Sequence, residues 1–435
     1  MEFDVVIVGG GVSGVCAAVS AAQNGASVCI IEQTGVLGGL GTTGLMSLVI
    51  SSKFHLGGIS KEIVQTLKKR GATNPYLPED DYEFVPYQVE QMKLLLDEKI
   101  VQSGVTLYLY SKVYDVQIKE NRLTAVKVAG PEGNFEVKGT TFIDATGDAM
   151  LSLYCNEEYE VGNVKGETQA PTMVAYYSNV DHKKLNKFIE EEADGDFQNA
   201  VEKYVPIAVE ENVLSMVDFH HPGAFPITYN ANVVNAGHIY GADCVTAEGM
   251  TKATIEGRRM AHAYYNFYKK YIPGFENAEY MITGSTLGLR ETRRVIGKYV
   301  ASYEDKISYR KFEDGVIRYD GGPASDLHAS SNDMKAYLAY YNMFTDMNDI
   351  RSDDFALLPY RSFQTVKTKN LFVAGRCLSA DRIVHARVRV MGYCMEMGQV
   401  TGTAAAMLKD RDGITDNIDI QMLQAKLRTT GLLNI

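Results

Sequence analysis

The chain has no C-x-x-C pair. Its six cysteines, Cys16, Cys29, Cys155, Cys244, Cys377 and Cys394, are scattered, which argues against a zinc site, an iron–sulfur cluster and a redox-active dithiol and suits a reducing cytosol. Positive charge is not in excess either: 43 Lys and Arg against 54 Asp and Glu leave a net charge of −11, which disfavours nucleic acid and anionic membrane surfaces as partners. No apolar run approaches the length of a membrane span. No basic segment precedes the first apolar run, so no signal peptide is expected. Low-complexity tracts and internal repeats are also missing. What remains is ordinary globular material, 46% hydrophobic and 22% charged, as expected of a cytoplasmic enzyme. At 435 residues the chain exceeds one hydrophobic core, so two interleaved domains are expected.

The first thirty-two residues carry the strongest pattern. Val5 to Val8 is a short β-branched run suited to a buried strand. Gly9, Gly11 and Gly14 then stand as G-x-G-x-x-G before a small-residue helical segment that ends at Asn24-Gly25, and a second apolar run, Ser27 to Ile31, closes on Glu32. Gly9 permits the tight turn, Gly11 lets backbone approach a pyrophosphate, and Gly14 lets the helix pack closely on the strand. The phosphates would sit on the helix N-terminus, where free N–H groups and the positive dipole end favour an anion. Glu32 is placed to accept hydrogen bonds from an adenosine ribose. An ordinary βαβ unit explains the glycine turn but not this acid.

Downstream, five glycines fall within eleven residues after Thr34, so that Gly39, Gly41 and Thr42 become candidate ligand contacts. Helices are predicted over Ile59–Leu67 and Val89–Ile100. Strand-like runs follow at Val105–Tyr110, Val113–Ile118 and Leu123–Val128, then a turn at Gly130, a run from Asn134 to Lys138, and another from Thr140 to Asp144 that leads into Ala145-Thr-Gly147. The middle of the chain is less regular. A helical run passes through Ala253, Met260 and Tyr264, and Arg290, Glu291, Arg293 and Arg294 crowd five positions; a helix there would turn Arg290 and Arg294 to one face and Glu291 to another. His220 and His221 have no third ligand at metal spacing, and no metal is expected. Near the C-terminus, Leu371–Ala374 runs into Gly375-Arg376, and a small-residue helix is predicted from Arg389 to Ala406.

The N-terminal unit with Glu32, taken with Ile143-Asp-Ala-Thr-Gly-Asp148, resembles the glutathione-reductase-type FAD flavoproteins. Adding the Gly288-Leu-Arg-Glu-Thr-Arg-Arg294 and Pro359-Tyr-Arg361 stretches and the Gly375-Arg376 motif, the whole chain resembles the bacterial FAD-dependent oxidoreductase family. It departs at His385-Ala-Arg387, where small residues are expected. The resemblance implies an α/β fold in which a discontinuous Rossmann-like FAD-binding domain, residues 1–155 and 365–435, receives an inserted α+β substrate domain, residues 156–364. It implies FAD contacts at Thr146, Gly147, Gly375, Arg376, Arg389 and Met391, with the helix after Arg389 aimed at the flavin's pyrimidine edge.

The isoalloxazine would carry the hydride chemistry, leaving the protein to position substrate and handle protons. His385 is a candidate general base or a hydrogen-bonded structural histidine. Arg290 is a candidate for substrate binding or for a structural ion pair. Tyr229, Tyr360 and Arg361 are candidate pocket residues, and Cys377 and Cys394 are candidate points of covalent flavin attachment. If the segment before Met391 is extended, Arg387 and Arg389 point to the same side. They would then present one positive surface beside the flavin, with Arg389 serving the N1–O2 edge and Arg387 left for a small, carboxylate-bearing substrate; the alternative is that Arg387 pairs with a structural acid such as Asp381. The expected function is hydride transfer between flavin N5 and a small organic molecule, and the rival is a flavin-binding electron-transfer or regulatory subunit without its own turnover. No second G-x-G-x-x-G occurs between Gly147 and Gly375. NAD(P)H or another external electron donor or acceptor would therefore be a visitor.

Overall fold

The computed structural model describes residues 1–52, 55–193, 195–218, 223–323, 325–333, 335, 338 and 353–434; His220 and His221 lie outside these. The first third of the chain runs β1 (Glu2–Val8), α1 (Val12–Gln23), β2 (Val28–Ile31), β3 (Leu48–Ile50), α2 (Gly58–Lys69), β4 (Phe84–Pro86), α3 (Val89–Gln102), β5 (Thr106–Tyr108), β6 (Lys112–Lys119), β7 (Arg122–Gly130), β8 (Gly133–Asp144) and α4 (Met150–Tyr154). The middle holds β9 (Tyr159–Val161), β10 (Ala175–Ser178), α5 (His182–Glu192), α6 (Phe197–Glu210), β11 (Gly223–Pro226), β12 (Asn232–Asn235), α7 (Ala247–Tyr271), β13 (Glu279–Thr283), β14 (Arg293–Val295), α8 (Tyr303–Ile307), β15 (Gly315–Asp320) and β16 (Phe355–Pro359). The chain closes with β17 (Leu371–Val373), α9 (Arg382–Val388), α10 (Met391–Met407) and α11 (Ile420–Thr429).

A seven-stranded sheet with the order β5-β2-β1-β8-β7-β6, and β17 against β8, forms the centre. β1, β2, β5, β17 and the second half of β8 pair in parallel, and their Val and Ile side chains, with Phe142 and Phe372, are buried, as parallel strands covered on both faces require. The runs 134–138 and 140–144 are one twelve-residue strand. Its first half pairs antiparallel with β7 and its second half runs between β1 and β17. This α/β architecture is Rossmann-like.

A four-stranded antiparallel sheet, β11-β12-β10-β13, packs with α5, α6 and α7 around a second core that includes Met173, Val201, Tyr264, Phe267 and Leu287. Val316, Ile317, Leu357 and Phe363 instead join the core of the large sheet. The helix expected around Arg290 is not formed. Residues 293–295 are strand β14, paired with β9, and Glu291 is buried between Arg294 and Arg382. The segment before Met391 is likewise not extended. Asp381 accepts hydrogen bonds from the Ile383 and Val384 N–H groups and starts helix α9, with Arg389 as its C-cap. Arg387 and Arg389 therefore diverge. No helix among the described residues is long and apolar enough to cross a membrane.

Candidate functional site

Parallel register brings the motif residues together. Val8 lies opposite Ile31 and Asp144, and Asp144 lies opposite Val373, so four strands end at one level. Gly9, Glu32, Ala145-Thr146-Gly147 and Ala374-Gly375-Arg376 are the residues that follow. Ligands of open parallel sheets bind at this edge. Gly9 has φ +103°, and a Cβ there would stand 2.5 Å from the Ala145 carbonyl oxygen. A Cβ on Gly14 would collide with the Gly9 carbonyl, whereas one on Gly11 would meet nothing within 4 Å. The backbone is thus open to a ligand at the place where a pyrophosphate needs it.

Two long helices that begin at this edge lack side-chain caps, as do α2, α3 and the short α4. α1 starts after Gly11 and α10 after Val390, with no capping hydrogen bond and no acid in the first turn. By contrast α5, α6, α7, α8, α9 and α11 are capped by Asp, Thr or Ser side chains. Uncapped first-turn N–H groups carry the positive end of the helix dipole and suit a phosphate or an electron-rich ring edge. The two helices are parallel, because Gly398 packs on the Ser13 backbone and Gly402 on that of Ala17. Seven residues of α10 precede Gly398 and one residue of α1 precedes Ser13. At 1.5 Å per residue the α10 N-terminus therefore projects about 9 Å beyond that of α1.

Glu32 is buried and receives the N–H groups of Gly10 and Thr34, both at 2.7 Å. Each carboxylate oxygen keeps a lone pair for a ribose hydroxyl. The glycine loop threads between the two helix ends: a Cβ on Gly39 would lie 3.2 Å from Gly11 Cα, and one on Gly41 would lie 2.8 Å from Met391 Cε. Thr42 donates to the Leu37 carbonyl at 2.6 Å and so shapes this loop. The Thr146 hydroxyl donates to Asp144 at 2.7 Å and accepts from Met150 N–H at 2.9 Å. Arg376 lies against Gly147 and binds Asp148 at 2.7 Å and Thr292 at 3.1 Å. A Cβ on Gly375 would meet the Ser13 hydroxyl, which itself donates to the Cys394 carbonyl at 2.6 Å. The donor set fits an adenine dinucleotide laid from Glu32 across α1 to α10.

The proposed catalytic residues are dispersed. His385 Nε2 donates to the Arg376 carbonyl at 2.7 Å, while its buried Nδ1 has no protein partner. Burial, with Arg294 and Arg389 nearby, pushes this imidazole well below its ordinary pKa. Arg387 is fully buried in an ion pair with Asp320, not Asp381. Arg290 donates to the Ala170 carbonyl and the Thr172 hydroxyl, both at 2.7 Å. Tyr229 is exposed, Tyr360 donates to the Thr415 carbonyl, and Arg361 pairs with Asp314. Cys377 and Cys394 are buried and their thiols are pushed upward by desolvation.

Arg389 pairs with Asp326 at 3.0 Å, and its Nη2 lies 3.5 Å from Gln169 Oε1. Its Nε and the Gln169 Nε2 are buried donors with no protein partner. Arg389 stands one residue before the α10 N-cap with Gln169 against it, where a ligand acceptor would complete both donors. Gln169 and Asp326 carry no local pattern, and nothing in the sequence around them signalled this role.

A thiamine thiazole synthase from Pyrococcus horikoshii is 29% identical over 130 residues, a match covering 29% of this chain and 47% of that protein; the chain thus spans about half the length of this relative. The structure of the myxobacterial chondrochloren halogenase CndH aligns over 98% of this chain and 78% of its own, with 14% identity and a TM-score of 0.50. A geranylgeranyl bacteriochlorophyll reductase-like protein from Thermoplasma acidophilum aligns over 99% of this chain and 84% of its own, with 12% identity and a TM-score of 0.48. The likeness to the halogenase is one of fold. The model of a family described as FAD dependent oxidoreductase matches residues 4–427, and with the glycine turn, the buried Glu32 and the paired helix ends in place, the chain belongs to that family and its cofactor is FAD.

Proposed function

We propose that this protein catalyses hydride transfer between FAD and a small organic substrate, with FAD held in the glutathione-reductase-type arrangement. The observation that carries this reading is the pair of parallel, uncapped helix N-termini about 9 Å apart along their axes. The nearer one suits the pyrophosphate and the farther one the flavin's pyrimidine edge. When bound, FAD supplies two-electron hydride chemistry at N5. The protein's part is to bind, orient and neutralise. Glu32 and the α1 N-terminus hold the adenosine and phosphates, and the α10 dipole favours the negative charge that grows on reduction.

Arg387 and Arg389 do not form an open cationic surface, because Asp320 and Asp326 neutralise them. Any carboxylate or carbonyl oxygen of the substrate is instead received by the two uncommitted donors, Gln169 Nε2 and Arg389 Nε. The test is to release the ligand from purified protein by heat and identify it by chromatography, then to add alcohols, amines and carboxylic acids anaerobically to the holoprotein. FAD in the supernatant and bleaching by at least one of these classes are expected. NAD alone, or no FAD binding, would sink the reading.

A further inference from the structure

The seam between the two cores holds a row of titratable side chains that none of these roles uses. Tyr240 donates its hydroxyl to Asp218 Oδ1 at 2.7 Å, and Asp218 Oδ2 lies 3.0 Å from His238 Nδ1. His238 Nε2 lies 2.9 Å from His328 Nδ1, and His328 Nε2 lies 3.0 Å from Asp326 Oδ1. Asp326 Oδ2 then accepts from Arg389 beside the α10 N-terminus. Asp218, His238 and His328 are buried, whereas Tyr240 is half-buried and the Asp326 side chain keeps 21% of its surface accessible. The groups come from the loop after α6, the loop after β12, the stretch after β15 and the end of α9. A histidine that merely fills a core needs one partner; here both nitrogens of both rings are used, and the rings stack at 4.9 Å.

Proton counting gives the row its meaning. Between Asp218 and Asp326 there are three junctions, and two neutral imidazoles supply only two protons. One junction is always short of a proton, and a proton delivered at one end is passed on by single hops. Burial lowers both rings, with Arg290 beside them adding to the effect, while Asp218 and Asp326 pull the other way. Burial raises the Asp218 carboxyl, but the His238 ring and the hydrogen bonds from His238 and Tyr240 outweigh it. Tyr264 also packs near Asp218.

We propose that Asp218, His238, His328 and Asp326 form a proton relay between the α10 N-terminus and Tyr240. The proposal rests on the hydride-transfer reading above. In the oxidative direction the substrate's C–H bond gives its electron pair and proton to FAD as hydride. The O–H or N–H bond breaks, its electrons form the new C=O or C=N bond, and its proton goes to Asp326. That proton moves to His328 Nε2, the His328 Nδ1 proton to His238 Nε2, and the His238 Nδ1 proton to Asp218; the Tyr240 hydroxyl, which donates to Asp218 at rest, then turns its own proton to water as its oxygen takes up the one from Asp218. One proton enters and one leaves. Substrate reduction runs the same hops backwards.

The test uses FAD-loaded protein in weak buffer, photoreduced by a flash while an indicator dye follows proton uptake. His238→Gln and His328→Gln keep hydrogen-bonding ends but break the relay, and each is expected to slow uptake about tenfold or more with FAD content unchanged, on the scale of a lost proton-transfer group. His328→Ala is expected to recover with added imidazole. Unchanged uptake in both glutamine variants overturns the relay. Should those variants lose FAD, histidine-selective nitrogen-15 spectra of the wild-type holoprotein decide: linked titration of His238 and His328 supports the relay, and independent titration overturns it. Slowed uptake with no bleaching substrate class leaves the relay standing and removes the hydride reading; bleaching with unchanged uptake does the reverse.

Discussion

Replacing Arg387 by methionine tests whether this side chain is structural or catalytic. Its guanidinium pairs with Asp320 and donates to the Ser51 carbonyl at 3.3 Å. Asp320 is equally buried and otherwise receives the Ser52 hydroxyl at 2.7 Å and the Tyr393 hydroxyl at 3.2 Å. Removal of Arg387 leaves a carboxylate inside the core with these neutral donors, and breaking a buried pair in this way costs about 3–5 kcal/mol. Asp320→Leu alone strands the guanidinium at a similar cost. The double variant strands neither, and apolar replacement of a whole buried pair is often near neutral. The two changes should therefore couple by about 3 kcal/mol or more in a double-mutant cycle read by urea unfolding, against roughly 0.3–0.5 kcal/mol for independent sites.

The penalty should also depend on pH. In the wild type burial raises the Asp320 carboxyl and Arg387 more than offsets it; without Arg387, burial is opposed only by the Ser52 and Tyr393 hydrogen bonds, and the folded-state pKa rises above the unfolded one. The methionine variant is then least impaired below the ordinary carboxylate range and loses stability as pH rises through the new value. Lys306, lowered to about 7 by burial and by Arg387, takes up charge more readily in the variant and moderates the loss. Additive single effects, or a methionine variant as stable as wild type, would refute this reasoning.

Gly402→Ala should destabilise by about 1–3 kcal/mol in thermal unfolding, because its Cβ would stand inside 3.0 Å of the Ala17 carbonyl, outweighing a helix-propensity gain near 1 kcal/mol. Burial pushes the Glu396 carboxyl up to about 8. Its contribution is present below the ordinary carboxylate range and lost as pH rises through about 8, so Glu396→Gln should flatten that slope in urea unfolding and exceed wild-type stability above it. Glu32→Ala should weaken FAD binding, measured by flavin fluorescence on dilution, by about 1.5–3 kcal/mol for each lost bond to the carboxylate; it also releases Gly10 and Thr34, so the apoprotein should melt earlier. Unchanged FAD affinity would place the ribose elsewhere.

The candidate nucleotide edge was legible because its requirements are local. A glycine turn, a small-residue helix and a terminal acid lie within thirty-two consecutive residues, and each later motif sits directly after a short apolar strand. Arg387 and Arg389 were misread because alternation presupposes an extended chain, although Asp381, an N-cap residue type before Arg382–Val388, was the available sign of a helix. The twelve residues of β8 read as two runs because one strand serves two sheet geometries with different burial. His238 and His328 left no trace: they are 90 residues apart, and only tertiary packing sets one ring against the other.

The packing of α1 on α10 has a consequence for biogenesis. Ser13 bonds to a residue 381 positions later, and β17 closes the sheet almost as late. On the ribosome, at about 5–20 residues per second, α1 waits roughly 20–75 s for the helix that covers it. Through that interval its alanine-rich face stands uncovered, and once β8 has been made its side meant for β17 does too, a target for chaperones. The flavin pocket is assembled only after α10 has been made, so cofactor supply cannot guide the part of the nascent chain that precedes that helix.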